Sequence, residues 1–201
     1  MRAVVLNCSL KKSPEPSNTQ MLADHVITAL RERGVESTTF RLADLSIPPG
    51  VESDLGPGDD WPQVRQAILD AEILVMATPT WVGHPSSFAQ LALERMDGMI
   101  SETDDEDRPV AYNRVAGVVV TGNEDGAHHV ISEITGGLGD IGFTVPGQAW
   151  TYWNKGPGPG ADYKDTDEGH DWAHKTGRAM AANLVAVATA LSKHPMQAPP
   201  S

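Results

Sequence analysis

The chain has 201 residues, 40% of them apolar, which is enough for one compact domain with a sizeable buried core and too little for two full-sized ones. Fifteen Lys and Arg stand against 27 Asp and Glu, and the resulting formal charge of −12 repels phosphate backbones and anionic lipid surfaces, so no nucleic-acid partner is expected. The single cysteine, Cys8, excludes a disulfide framework and any zinc or iron–sulfur site built from several thiolates of this chain. The opening apolar run is too short for a signal-peptide core, and nowhere do about 18 apolar residues follow one another without a break. A cytoplasmic, reducing setting without membrane insertion is the expectation.

In chain order, short β-branched runs alternate with longer helical patterns. That is the signature of an α/β domain with a mostly parallel sheet. Ala3–Leu6, Ile73–Ala77 and Val115–Thr121 are nearly continuous apolar runs, as strands covered on both faces require, and are expected at the centre. Val35–Leu42 mixes polar residues among apolar ones and Phe143–Tyr152 carries Pro146 and Gly147, so both are expected at edges. Helices are predicted over Thr19–Arg33, Pro62–Ala71, Ser87–Ile100, His128–Ile141 and Asp171–Lys193. Leu22, Val26, Ala29 and Leu30 form the apolar stripe of the first, with Ser17 and Gln20 at capping-box spacing before it and Gly34 after it. Ser46–Asp60, the acidic Ser101–Arg108 and Asn154–Gly169 read as loops, the last long enough to suggest a function. One domain is expected over residues 1–194, with a short tail at 195–201.

Ligands of an open parallel sheet bind at the carboxyl ends of its strands, where the strand order reverses. The first run ends in a hydroxyl-rich turn, with Ser9 and Lys11 followed by Ser17, Asn18 and Thr19 at a helix start. The unpaired N–H groups of a first helical turn suit a phosphate, and plain capping by Ser17 is the competing reading. Neither a P-loop nor a Gly-x-Gly-x-x-Gly fingerprint occurs in this turn, which counts against kinases and ordinary dinucleotide-binding dehydrogenases. After the third run, Thr78-Pro79-Thr80-Trp81-Val82-Gly83-His84-Pro85-Ser86 combines a fixed proline, an aromatic side chain and a permissive glycine. Such a turn can lie along a planar ring, or simply form a rigid connection whose tryptophan caps the core. Thr121-Gly122-Asn123-Glu124-Asp125-Gly126 supplies a third loop at the same end of the sheet.

Together these three loops resemble the flavodoxin-like, FMN-binding NAD(P)H-dependent reductases, a group that includes quinone reductases and iron–sulfur flavoproteins. The resemblance spans roughly residues 2–145. It implies a three-layer sandwich around a five-stranded parallel sheet of order 2-1-3-4-5, with FMN over the ends of strands one, three and four. Ser9 and Ser17-Asn18-Thr19 look like the family's phosphate loop, with Lys11 between them, and Thr78 to Gly83 look like its isoalloxazine loop. By that similarity the backbone from Thr80 to Gly83 meets the ring and Gly122 and Asn123 lie near its pyrimidine end, with Thr121 and Gly126 flanking them. The implied activity is transfer of hydride from NAD(P)H through FMN to a small acceptor such as a quinone or flavin, with no obligate catalytic side chain. A homodimer or homotetramer is implied as well. A flavodoxin-like electron carrier serving protein partners is the alternative.

Two departures stand out: Cys8 occupies a position where many relatives carry glycine, and two prolines lengthen the phosphate loop. The cysteine cluster of the iron–sulfur branch is absent, and Trp150 through Asp171 match nothing residue by residue. Trp153 and Asn154 are candidates for a wall or lid, with an ordinary aromatic edge strand as the equal alternative for Trp150, Tyr152 and Trp153, and Cys8 is expected to act as a small apolar residue. His170 and His174, four apart, lack a third ligand, so a metal site there is set aside in favour of local hydrogen bonds. His128 and His129 point apart on a helix, and a role for one of them facing the flavin loop is set aside. The acidic run 102–107 is read as a solvated loop, with docking of a basic redox partner as the rival.

Overall fold

The computed structural model describes residues 1–157 and 160–200; Gly158 and Pro159, in the middle of the expected 154–169 loop, and Ser201 lie outside the described residues. Strand β1 (Arg2–Asn7) pairs in parallel with β2 (Glu36–Arg41) on one side and with β3 (Ile73–Trp81) on the other. The sheet continues in parallel from β3 to β5 (Val115–Gly122) and to β6 (Trp150–Asn154), while the two-residue β4 (His84–Pro85) turns back antiparallel onto the end of β3. The order is β2-β1-β3-β5-β6. Leaving aside the short β4, this is the expected 2-1-3-4-5 sheet with β2 and β6 at its edges.

Strand pleating sorts the core into two layers. Ala3 and Val5 of β1 point to the face covered by helices α1 (Asn18–Arg31) and α5 (His170–Lys193), where Leu22, Val26, Met180 and Leu184 pack. Val4 and Leu6 point to the opposite face, covered by α2 (Trp61–Leu69), α3 (Ser87–Asp97) and α4 (Ala127–Ile141) through Trp61, Ile68, Met96, Val130 and Leu138. No helix of the described residues is long and apolar enough to cross a membrane.

Most boundaries fall within two residues of the sequence expectation, and three differ by more. The third strand does not stop at Ala77 but carries Thr78, Pro79, Thr80 and Trp81 within it, so the presumed loop is a β-hairpin whose turn is Val82-Gly83. The expected strand over 143–152 is split. Phe143 is buried and Thr144 bridges only to Val115, and then Pro146, which has no N–H to give a ladder, opens a turn that places β6 at Trp150–Asn154. Helix α3 ends at Asp97 rather than Ile100, with Gly98 as its cap.

The loops are tied down by specific groups. Arg95, buried on α3, donates to Asp59, Pro48 and Glu52 and so holds the 46–60 loop against that helix. Burial alone raises the Asp59 carboxyl, but Arg95 and the N–H groups of Leu55 and Trp61 outweigh it and bring the pKa down to about 2. The acidic 101–108 loop folds on itself. Asp104 accepts from Glu106 N, Arg108 N and the Arg108 guanidinium, and Arg65 pairs with Glu102, so several of its carboxylates are spent locally.

Candidate functional site

A crevice with about 570 Å³ of empty space, partly open to solvent, lies across the carboxyl ends of β1, β3 and β5. It straddles β1 and β3, between which the chain direction of the winding reverses, as expected for a doubly wound sheet.

One wall comes from the β1–α1 segment: Ser9, Leu10 and Lys11, then Asn18 and Thr19. Asn18 and Thr19 occupy the first turn of α1, where their N–H groups have no helical acceptor and the positive end of the helix dipole faces outward. Ser17 does not join them. Its buried hydroxyl accepts from Gln20 N as the helix cap, so the capping reading holds for this residue. The prolines of the lengthened loop carry it toward the end of β2, where Asp44 accepts from Ser13 N and Oγ and Arg41 donates to Glu15 O. The two Ser13 bonds, with smaller help from Arg41 and Lys12, hold the Asp44 carboxyl below its ordinary pKa. Cys8, fully buried behind this wall, has its thiol pushed up in pKa by burial and behaves as an apolar residue, as expected.

The floor and opposite wall come from Pro79, Thr80 and Trp81 of β3 and from Thr121, Gly122 and Asn123 at the end of β5. Thr121 Oγ1 is engaged with Thr19 Oγ1 at 2.8 Å, a buried link between the two walls. Thr80 is different. Its Oγ1 is buried and has no hydrogen-bond partner among the described residues. A buried hydroxyl left without a partner costs about 1–3 kcal/mol. Among the described residues Ser37, Trp61, Arg65 and Arg114 also keep an unpaired buried atom, but of these side chains only Thr80 lines the crevice. At Gly122 a Cβ would stand 3.1 Å from Thr80 Cβ and 3.0 Å from Glu124 O, so a side chain there would crowd the same spot.

Beyond Thr80 the hairpin rises to the rim. Trp81 is 50% exposed, and Val82 is 86% exposed with φ +53, a left-handed conformation that a β-branched residue rarely adopts. Gly83 follows at φ +76. Behind the tip, Gly126 at φ +110 starts α4, and a Cβ on it would come within 3.0 Å of Gly83 Cα. Glu124 adds a 3.4 Å contact to Gly83 N. Val82, Gly83 and Gly126 therefore build and brace the rim and do not line the crevice itself.

The third wall was the least legible in the sequence. Trp153 lines the crevice together with Asp162 and Tyr163 from the long excursion after β6, while Asn154 sits outside it. The excursion is pinned at both ends of the site: Lys155 N donates to Gly122 O, Gly160 N to Asn123 O, Asn123 Nδ2 to Asp162 Oδ1, and Lys164 N to Asn18 Oδ1. Tyr163 was missed by sequence reasoning, although a lone aromatic in a Gly-, Pro- and Asp-rich stretch was a usable signal. Its ring meets Trp153 edge-on and stacks on His170 at 3.9 Å, its hydroxyl reaches His174 Nε2 at 2.7 Å, and burial raises its pKa to about 12. His174 stacks in turn on His25 at 3.5 Å, and burial lowers the pKa of both imidazoles. His170 Nε2 lies 3.0 Å from Tyr163 O. The histidines at 170 and 174 are thus occupied in supporting this wall.

Lys11 is the one cationic side chain in the lining among the described residues, and it faces a carboxylate, Asp162, already shared with Asn123. An anionic ligand would therefore rely on helix N–H groups and hydroxyls for much of its binding. Against this geometry, residues 1–157 match the family model for NADPH-dependent FMN reductases. The chain belongs to that family. Within and beyond the family, it is 33% identical over 97% of its length to the 8-demethyl-8-aminoriboflavin-5'-phosphate synthase of Streptomyces davaonensis, covering 80% of that protein. It superposes on a crystal structure of RosB, with a bound 8-demethyl-8-formylriboflavin-5'-phosphate intermediate, with a TM-score of 0.87 at 33% identity over 98% of this chain and 82% of that one. An apo NADH:FMN oxidoreductase shares the fold with a TM-score of 0.64 at 14% identity, over 90% of this chain and 88% of that one. The chain is also 34% identical over 95% of its length to part of the divalent metal cation transporter MntH of Mycobacterium bovis, but it spans only 29% of that protein.

Proposed function

We propose that the protein is an FMN-dependent oxidoreductase that takes hydride from NAD(P)H and delivers electrons to a small acceptor such as a quinone or a flavin. The observation that carries this reading is the unpaired, buried Thr80 hydroxyl in a crevice bounded on one side by the free N–H groups of Asn18 and Thr19. A planar, polar-edged ring linked to a phosphate has the chemistry to meet both. Bound FMN supplies the hydride-accepting and electron-donating chemistry. The chain's own groups hold and screen it: Ser9, Lys11, Asn18 and Thr19 the phosphate and the chain leading to it, Pro79, Thr80 and Trp81 one side of the ring, Thr121, Gly122 and Asn123 its polar edge. Val82, Gly83 and Gly126 set the position of the rim, and Ser17 acts through the helix it caps. Tyr163 and Trp153 close the third side against water. Residues 1–194 act as one FMN-binding domain with a short tail, in a cytoplasmic homodimer or homotetramer.

A second reading has its own support. Of the two matches at 33% identity over nearly the whole chain, one is named a synthase of a modified riboflavin phosphate and the other holds a modified riboflavin phosphate as a bound intermediate, whereas the oxidoreductase neighbour named above stands at 14%. In that reading FMN is a substrate whose ring is altered, held in the same crevice.

The test is anaerobic addition of NADPH, and then NADH, to protein loaded with FMN, followed by release and mass analysis of the flavin. Bleaching by either nucleotide, reoxidation by a quinone and recovery of unchanged FMN are the expected results. A flavin of altered mass supports the second reading. A retained flavin that resists both nucleotides contradicts the reductase activity and points to the electron carrier.

A further inference from the structure

His84, His129 and Glu133 form a cluster outside the crevice, on the back of the hairpin. His84 belongs to β4, while His129 and Glu133 stand one turn apart on α4, so residues 45 and more positions distant converge. His84 Nδ1 lies 3.2 Å from Glu133 Oε1, and His129 Nε2 lies 3.3 Å from the same oxygen. All three atoms fall within 4.8 Å of one another. Metal–ligand bonds of about 2.0–2.1 Å at tetrahedral angles place neighbouring ligand atoms about 3.3–3.4 Å apart. The two contacts to Glu133 therefore have the length of the edges of a tetrahedral coordination shell.

We propose that His84, His129 and Glu133 form a binding site for a divalent transition-metal ion of the zinc type, clamping the β3–β4 hairpin to α4. Two imidazoles and one carboxylate are a donor set suited to Zn²⁺, Co²⁺, Ni²⁺ or Cu²⁺ rather than to Mg²⁺ or Ca²⁺, which prefer shells of oxygen. The side chains are 60%, 54% and 38% exposed, so an ion can enter from solvent and water can complete the shell. The net charge of −12 favours cations near the surface. Other sequence-distant histidines, such as His25, His170 and His174, are held by Tyr163 and by one another and present no comparable set with a carboxylate. The ion would join the two elements that already touch where Gly126 abuts Gly83; Gly83 is next to His84 and Gly126 lies three residues before His129, short enough for the link to stiffen the hairpin. This inference does not depend on what occupies the crevice.

Calorimetric titration of ZnCl₂ into the full chain, free of any histidine tag, tests it, with Co²⁺ absorption as a second reading of the shell. One equivalent of zinc, and a tetrahedral Co²⁺ spectrum, are expected. Losing a mere outer-shell partner of a metal ligand already costs about 10–100-fold in affinity, so His129→Ala, His84→Ala and Glu133→Gln are each expected to weaken zinc by about 100-fold or more. His25→Ala should leave the affinity as it was. Zinc should also raise the melting temperature of the wild type and not of His84→Ala, because an ion held by β4 and α4 together binds the folded chain preferentially. No saturable binding, or one-equivalent binding that survives both His84→Ala and His129→Ala in variants with native circular dichroism, overturns the proposal.

Discussion

The segments that follow β1 and β3 both looked, as sequence, like loops rich in groups able to hold a ligand, and the structure uses them in opposite ways. After β1 the hydroxyls are largely committed: Ser17 to the helix cap, Ser13 to Asp44, Thr19 to Thr121, and Ser9 Oγ to Lys11 N. What remains available there is backbone N–H. At the end of β3, Thr80 keeps an unpaired hydroxyl, and just beyond the strand Val82 holds an unfavourable φ. The lesson is that hydroxyl-rich composition is a poor marker of a site. An unsatisfied polar group is a better one only where it also lines a crevice, as Thr80 does and the equally unpaired Ser37, Trp61, Arg65 and Arg114 do not.

The largest test of that contrast is Gly126→Ala. Its φ of +110 and the 3.0 Å approach to Gly83 leave no room for a methyl group, so the variant should lose about 1–3 kcal/mol in denaturant unfolding and bind FMN more weakly as the hairpin shifts. Ser17→Ala should cost about 1 kcal/mol of stability through loss of the cap. If it instead leaves stability unchanged and abolishes FMN binding, Ser17 is a ligand and the division between the two segments fails. Thr80→Val removes an unpaired group of the same shape and should leave thermal unfolding of the flavin-free protein unchanged or slightly raised. The smallest effect concerns pH. The folded Asp44 carboxyl titrates below its unfolded value, so its contribution to holding the β1–α1 loop is present above about pH 4 and fades as pH falls through the folded pKa. A carboxyl titration by NMR should find Asp44 below the ordinary Asp range in the wild type and returned toward it in Ser13→Ala.

Much of this was legible in the sequence, for identifiable reasons. The apolar runs at 3–6, 73–77 and 115–121 have no alternative to a doubly covered strand, and the three loops at their carboxyl ends follow from the topology of a parallel sheet. The hairpin was hidden because Pro79 and Gly83 read as punctuation, whereas Pro79 is tolerated in the strand where β3 has run past the end of β1 and pairs with Thr121 of β5 alone. Tyr163 and Asp162 were hidden because a loop's path over the surface is set by a few long-range bonds, here Gly160 N to Asn123 O and Lys164 N to Asn18 Oδ1, that leave no local pattern. Ser17 was ambiguous because a cap and a phosphate ligand use the same residue type in the same place, and the structure shows the cap.

The most direct test of the central claim is an equilibrium titration of FMN into the flavin-free protein by fluorescence quenching, wild type beside Thr80→Val. One FMN per chain and an affinity about ten-fold weaker in Thr80→Val, a difference of about 1.4 kcal/mol, are the predicted results. Equal affinity in the two proteins, or no saturable binding in the wild type, contradicts the assignment of the crevice and of its unpaired hydroxyl to the flavin.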